Sequence, residues 1–319
     1  MKAIDAYNLL FQAMLSRDVT STERREIADR FGETDVDAKD IAIEIIRSSE
    51  FFGLHRESFI DRQFPTSTVV TARGPLGHQI HCDLRQLHLG LSMACGHYEP
   101  DETAFIRKHV SKGMTALDVG ANIGFFTTMM AGLVGESGKV IALEPVNDTF
   151  QKLSSAVALN RQQSIVELHN VAASSGEGSF ELTYDLNSFN MGGVSLRREG
   201  DNNRLRITQK AVTSRIDDLV WGRPIHFMKM DIEGAEGIAL DGAFETLSSS
   251  KPLIIMEFNE NQLRQVSRIS AAELFRKVLN FGYSGHAIRS QGETSPLTEA
   301  SLSESTKSGK IVNVAFVPT

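Results

Sequence analysis

Four acids each close a short apolar run: Asp118 after "TAL", Glu144 after "VIAL", Asp231 after "FMKM" and Glu257 after "LIIM". One such acid is ordinary. Four from separate runs point to a ligand site, because an unpartnered buried carboxylate is costly and perturbed carboxylates cluster where chemistry needs them. Such groups can hold a cation, accept hydroxyl hydrogen bonds or take up a proton. Beside the first lies "LDVGANIGFFTTMMA", residues 117–131, where Gly120, Asn122 and Gly124 crowd the junction between an apolar strand and an apolar helix. Glycine there lets the backbone bend tightly and lets a ligand approach it. The helix start that follows offers N–H groups.

Two cofactor classes use that arrangement. A dinucleotide wants G-x-G-x-x-G. Counted from Gly120, that pattern meets Asn122 and Phe125 where glycines belong. S-adenosylmethionine carries no phosphate and presents an ammonium, a carboxylate and a sulfonium, which nearby acids attract. Asp118 favours this second class, since a charge so near the turn would repel a pyrophosphate. Glu144 can accept both ribose hydroxyls through charge-assisted bonds in either class and does not discriminate.

Methyl transfer to an alcohol needs in-line positioning and a group to take the hydroxyl proton. Asp231 is the expected base or substrate orienter, with Glu233 second. Asp231-x-Glu233, joined by Glu257, could hold Mg²⁺; a helix-start acid at Glu233 is the preferred alternative. Lys229 sits inside an apolar run on the face of Asp231, so it is expected to pair with Asp118, Asp231 or Glu257. His78, His81 and Cys82 suggest a metal site, but strand alternation turns His81 away from the other two, and a structural role is preferred. Asp217 and Asp218 either close a turn over the site or cap a helix. Trp221, Tyr98 and Phe189 could stack on a substrate, although aromatic residues more often fill cores.

The motifs "GHYEPDE", "LDVGANIGFFT", "VIALEP", "RIDDL", "MKMDIEGAE…LDGA" and "IIMEF", in that order over residues 97–260, resemble the FkbM family of class I S-adenosylmethionine-dependent methyltransferases. The resemblance implies a Rossmann-like α/β fold with a seven-stranded, mostly parallel sheet, helices on both faces and a reversed last hairpin. It implies O-methylation of a sugar, glycolipid or natural-product hydroxyl. Gly120, Asn122 and Gly124 would line the methionine end of the cofactor, supported by Asp118. Glu144 and Pro145 would lie at the ribose, Val171 and Ala172 at the adenine. Glu99 could reach the same pocket or simply cap a helix, and Asp231 would border the cofactor as well as the acceptor. No residue is assigned to a metal. A dinucleotide-dependent oxidoreductase and a non-catalytic S-adenosylmethionine-binding scaffold are the alternatives.

These residues must be carried by an alternating set of elements. "TALDV", "GKVIALEP", "IVELHNVAA", "PIHFMKMD" and "KPLIIMEF" read as strands, with helices after the first, second, fourth ("AEGIALDGAFETLSS") and fifth ("SAAELFRKVLNFG"); "YSGHAIR" and "KIVNVAFV" close the sheet. Residues 97–319 are expected to form the methyltransferase domain, 66–96 a β-hairpin and connector, and 1–65 a helical module with Leu9, Leu10, Ala13 and Met14 at helical spacing. Residues 176–212 read as an inserted β excursion. The net charge of −7 argues against nucleic acid as partner. Two cysteines make no disulfide framework, and no apolar run approaches the ~20 residues that span a bilayer. The N-terminus lacks the features of a signal peptide, so a cytoplasmic setting is expected. Monomer and homo-oligomer both stay open.

Overall fold

The strands that carry the four acids form the middle of one sheet. In a computed structural model the chain divides into two units, Met1–Thr68 and Val69–Thr319. The structure describes residues 67–185 and 206–319, except 85, 87, 88, 91 and 308, together with residue 20. The helical module expected over 1–65 lies, Thr20 aside, outside the described residues, as does Phe189.

The expected hairpin is β1 (Val69–Arg73) and β2 (Gln79–Asp83), paired antiparallel. The main sheet contains β3 (Thr115–Val119), β4 (Lys139–Leu143), β5 (Val166–His169), β9 (Phe227–Met230), β10 (Leu253–Phe258), β11 (Tyr283–Ile288), β12 (Thr294–Pro296) and β13 (Val312–Pro318), in the order β12-β11-β13-β10-β9-β3-β4-β5. The run β10-β9-β3-β4-β5 is parallel, and β13 enters antiparallel between β10 and β11. The seven expected strands are present; the three-residue edge strand β12 makes an eighth.

Parallel strands buried on both faces need near-continuous apolar runs, and "KVIAL" and "FMKM" supply them. Two cores result. One joins Ala116, Val140, Ala142 and Phe227 to α1 (Pro100–His109), α2 (Phe125–Val134), α3 (Asn147–Leu159) and the hairpin. The other joins Leu117, Ile141, Met228 and Ile254 to α4 (Ile216–Val220), α5 (Glu236–Asp241), α7 (Ala271–Leu279) and α8 (Glu299–Lys307). A further short helix, α6 (Glu260–Gln265), follows β10. Eight of the ten residues of α2 are buried, as expected of a helix that is apolar nearly all round.

Two expectations are corrected. "IVELHNVAA" is not one strand: after β5 the chain bends, and β6 (Ala172–Ala173) pairs instead with β8 (Arg206–Ser214), which also pairs with β7 (Gly178–Asp185). This three-stranded side sheet is the expected β excursion; its residues 186–205 lie outside the described residues. "AEGIALDGAFETLSS" is not one helix either. It breaks after α5 at Gly242, where a Cβ would meet the Ser174 carbonyl oxygen at 2.0 Å and where the glycine's own carbonyl accepts from Asp217 N–H. Among the described residues no helix is long and apolar enough to cross a membrane.

Candidate active site

Side chains alternate along a strand with period two. Ala116, Ala142, Phe227 and Ile255 belong to the core on the α1–α3 face, so Asp118, Glu144 and Glu257, two residues on, share that face. Continuing the count from Lys229 sets Asp231 beside them. The parallel register pairs Asp118 with Lys229 across β3 and β9, bringing the buried cation next to the buried acid.

The loop between β3 and α2 runs through left-handed backbone at Gly120 (φ 85°), Asn122 (φ 50°) and Gly124 (φ 95°). Gly120 has a second reason to be glycine: a Cβ there would sit 2.0 Å from the Asp231 carbonyl oxygen. Gly120 and Ala121 N–H donate to the Leu143 carbonyl, Gly124 N–H donates to Ala121 O, Asn122 N–H to Glu144 Oε2 and Ile123 N–H to Asn122 Oδ1. Every amide from 120 to 124 therefore has an acceptor within the protein. Phosphate loops work through free, convergent N–H groups, and this loop presents none.

Glu144 is 6% exposed. Its Oε2 accepts from Asn122 N–H and its Oε1 from Val146 N–H, both at 2.9 Å. Burial raises its pKa to about 7, against the pull of those two amides. Each carboxylate oxygen accepts about two bonds, so each keeps one site for a ligand. Asp118 is fully buried; Oδ2 accepts from Thr127 Oγ1 at 2.5 Å, and Oδ1 has no protein partner. Burial raises its pKa, opposed by Lys229 and Thr127.

A cleft of about 230 Å³, counting its open mouth, is lined by Glu99, Glu102, Lys229, Asp231, Glu257 and Asn313, among others. Lys229 Nζ donates to Asp231 Oδ2 at 3.0 Å and lies 4.8 Å over the Phe126 ring. Burial alone would lower its pKa, but Asp231, Glu99 and Asp118 outweigh that and raise it. The expected pairing of Lys229 is thus found, with Asp231 as partner. Glu99 occupies the N-cap position of α1 without a side-chain cap bond, which removes the capping alternative. Burial holds its pKa up, eased by Lys229. Burial and the charge of Asp231 likewise raise Glu257. Glu233, at φ 55°, accepts from Gln262 Nε2 and is raised to about 8 by burial, then by Asp231.

Pro145 follows Glu144, and Asn170 Nδ2 donates to the Glu144 carbonyl at 2.8 Å, which brings Val171 and Ala172 toward the same strand end. Several candidates fall elsewhere. Trp221 is 88% exposed, so it is no part of the cleft. Asp217 braces Glu245 and Thr246 and is bonded by Arg215; its acceptor sites are spent on that brace. Tyr98, by contrast, borders the cleft: it packs edge-on to Phe125 and its side chain bonds to Glu99. His78 is buried with both ring nitrogens unpartnered, and burial lowers its pKa to about 4. Among the described residues no group of three or more His, Cys, Asp or Glu is arranged to hold a metal ion, so the Mg²⁺ expectation finds no support. A lysine ammonium already sits against Asp231.

Sequence reasoning overlooked three polar groups here. Glu102 lies one helical turn after Glu99 and accepts from Asn313 Nδ2; the i, i+3 spacing and the lone Asn in "KIVNVAFV" were visible signals. Glu236 accepts from Ile232 and Gly234 N–H and fixes the loop after β9. No spacing rule announces that role.

A family profile described as Methyltransferase FkbM domain matches residues 118–284, over half of the chain. One described as Protein-L-isoaspartate(D-aspartate) O-methyltransferase matches residues 49–183. No curated protein matches the sequence. Among solved structures, a methyltransferase FkbM from Methylobacillus flagellatus KT is 15% identical, with 93% of this chain and 71% of that one covered and a TM-score of 0.41. An rRNA methylase from Streptococcus thermophilus is 12% identical, covering 68% and 93%, with a TM-score of 0.39. Aeropyrum pernix fibrillarin, in complex with natively bound S-adenosyl-L-methionine, is 10% identical, covering 68% and 73%, with a TM-score of 0.39.

Proposed function

This chain belongs to the methyltransferase FkbM family and is an S-adenosylmethionine-dependent methyltransferase, and from that premise we propose that it methylates a hydroxyl of a sugar, glycolipid or natural-product acceptor. In this reading residues 97–319 are the catalytic domain, and 1–65 and 66–96 serve it as accessory segments. S-adenosylmethionine, when bound, supplies the electrophilic methyl group.

The protein's groups fit such a guest. The amides of the 120–124 loop are already satisfied, Asp118 Oδ1 lacks a partner, and Glu144 keeps two acceptor sites. Gly120, Asn122 and Gly124 would bound the methionine end, Glu144 and Pro145 the ribose, Val171 and Ala172 the adenine, with Glu99 at the edge. Asp231 would accept the hydroxyl proton or orient the hydroxyl, and Glu233 would support it.

The observation that carries this reading is the Lys229–Asp231 pair at 3.0 Å, set against Gly120 and opening on the cleft. It holds one carboxylate beside the cofactor loop. A carboxyl acceptor, of the kind the second profile's name describes, is disfavoured: among the described residues that line the cleft the cation is Lys229, and it is already engaged by Asp231. The test is a labelled-methyl transfer screen of hydroxyl compounds and cell extracts, with mass spectrometry of the product. A labelled ether supports the proposal; a labelled ester as the sole product contradicts it.

A further inference from the structure

The side sheet is bolted to the ribose side of the cofactor pocket through one glutamine. Gln209 lies on β8, the middle strand of that sheet. Its Oε1 accepts from Asn147 N–H at 3.0 Å and its Nε2 donates to the Pro145 carbonyl at 2.8 Å. The side-chain amide thus brackets Val146 on both sides, as a neighbouring strand would. Val146 N–H, left between the two bonds, donates to Glu144 Oε1.

Two further observations point the same way. Val146 is the N-cap of α3 and makes no side-chain cap bond; valine has no acceptor to offer the first helical N–H groups. Gln209 supplies that missing acceptor from another sheet. The Val146 side chain is buried against Leu182 and Ala211, with Phe180 and Ile207 packed around them, so apolar contact and hydrogen bonds hold the same tripeptide.

We propose that Gln209 is a positioning residue for Glu144: by fixing Pro145–Asn147 it aims the Glu144 carboxylate at the ribose of the adenosyl cofactor, and so makes the side sheet part of the cofactor machinery. This rests on the reading of Glu144 as the ribose acceptor. With Oε1 tied to Val146 and Oε2 tied to Asn122, the carboxylate is held at two points, and its two remaining acceptor sites have a set direction. Loss of the Gln209 bracket frees one of those two points.

Calorimetry with S-adenosylhomocysteine and its 2′,3′-dideoxy counterpart tests the proposal, because only a ribose-aiming role distinguishes the two ligands. Gln209→Met keeps the side chain's length and removes both bonds. Its dissociation constant for S-adenosylhomocysteine is expected to rise about tenfold and that for the dideoxy ligand less than about twofold, with the melting temperature nearly unchanged. Gln209→Glu, which keeps the acceptor for Asn147, is expected to fall between Gln209→Met and the parent protein. Unchanged affinity for S-adenosylhomocysteine, or equal weakening of both ligands, overturns the proposal. Glu144→Ala is run alongside. If it too leaves both affinities unchanged, the ribose reading itself fails; if it loses the first ligand selectively while Gln209→Met does not, only the role of Gln209 fails.

Discussion

Lys229 is 4% exposed in a cleft of carboxyls, and its value lies in what its removal would strand. Asp231, Asp118 and Glu99 all lean on that one ammonium. Breaking a buried pair by deleting one partner costs about 3–5 kcal/mol, so Lys229→Met is expected to destabilise by that order in urea unfolding, while an unchanged midpoint contradicts the cluster's electrostatics. Asp231→Asn should instead act on turnover, lowering it about 10²–10⁴-fold if proton acceptance is its role, with affinity for S-adenosylmethionine within about threefold of the parent. Equal turnover would remove Asp231 from the chemistry. His78 gives a pH prediction. Its folded pKa, lowered from 6.5 to about 4 by burial, lies below its unfolded value. The stability from keeping it neutral is therefore fully present above about pH 6.5 and lost as pH falls toward 4, a change of about 3 kcal/mol at most. His78→Phe should flatten this part of the acid slope measured by urea midpoints from pH 7.5 to 4.5; an unaltered slope contradicts it. Much of the residue scale was legible beforehand: counting by twos along each run aligns the four acids and Lys229. Gln209, Gln262 and Glu236 were not legible, because the first two bond groups far from them in sequence and the third bonds amides in a turn whose shape the letters do not give.

Among the connecting elements, the 120–124 loop tolerates little substitution. Gly120 combines φ 85° with a Cβ position 2.0 Å from a backbone oxygen, whereas Gly77 in the hairpin turn has φ 79° and nothing within 4 Å. Gly77→Ala should then cost only the backbone strain of about 1–2 kcal/mol, and Gly120→Ala several kcal/mol together with loss of cofactor binding. Equal costs in chemical unfolding would mean that the loop relaxes away from Asp231. The strands themselves could be read in advance because parallel strands buried on both faces leave unbroken apolar runs. Their interruptions could not. "HNVA" is apolar enough to continue β5, and only the hydrogen bond from Asn170 to Glu144 and the competing partner β8 show why the chain leaves the sheet there. The break at Gly242 likewise depends on Ser174 and Asp217, both distant in sequence.

Over the whole molecule, charge sets stability against function. The chain carries −7, and the cleft gathers acids whose pKa values burial pushes up. Glu233, raised from 4.5 to about 8, binds its proton more tightly folded than unfolded. Its contribution is present below about pH 4.5 and lost as pH rises through 8. Glu233→Gln should therefore raise the melting temperature more at pH 8 than at pH 5; equal gains at both would remove the linkage. Acids held at this cost mark a ligand site rather than a stabilising core, and the arrangement follows from sheet order, which sets β9 between β3 and β10. A crystal structure of the protein with S-adenosylhomocysteine tests that arrangement most directly. The ribose hydroxyls should lie within hydrogen-bonding distance of the Glu144 carboxylate, with the sulfur facing the cleft at Asp231; a ligand bound away from the 120–124 loop, or with Glu144 turned from the ribose, would contradict it.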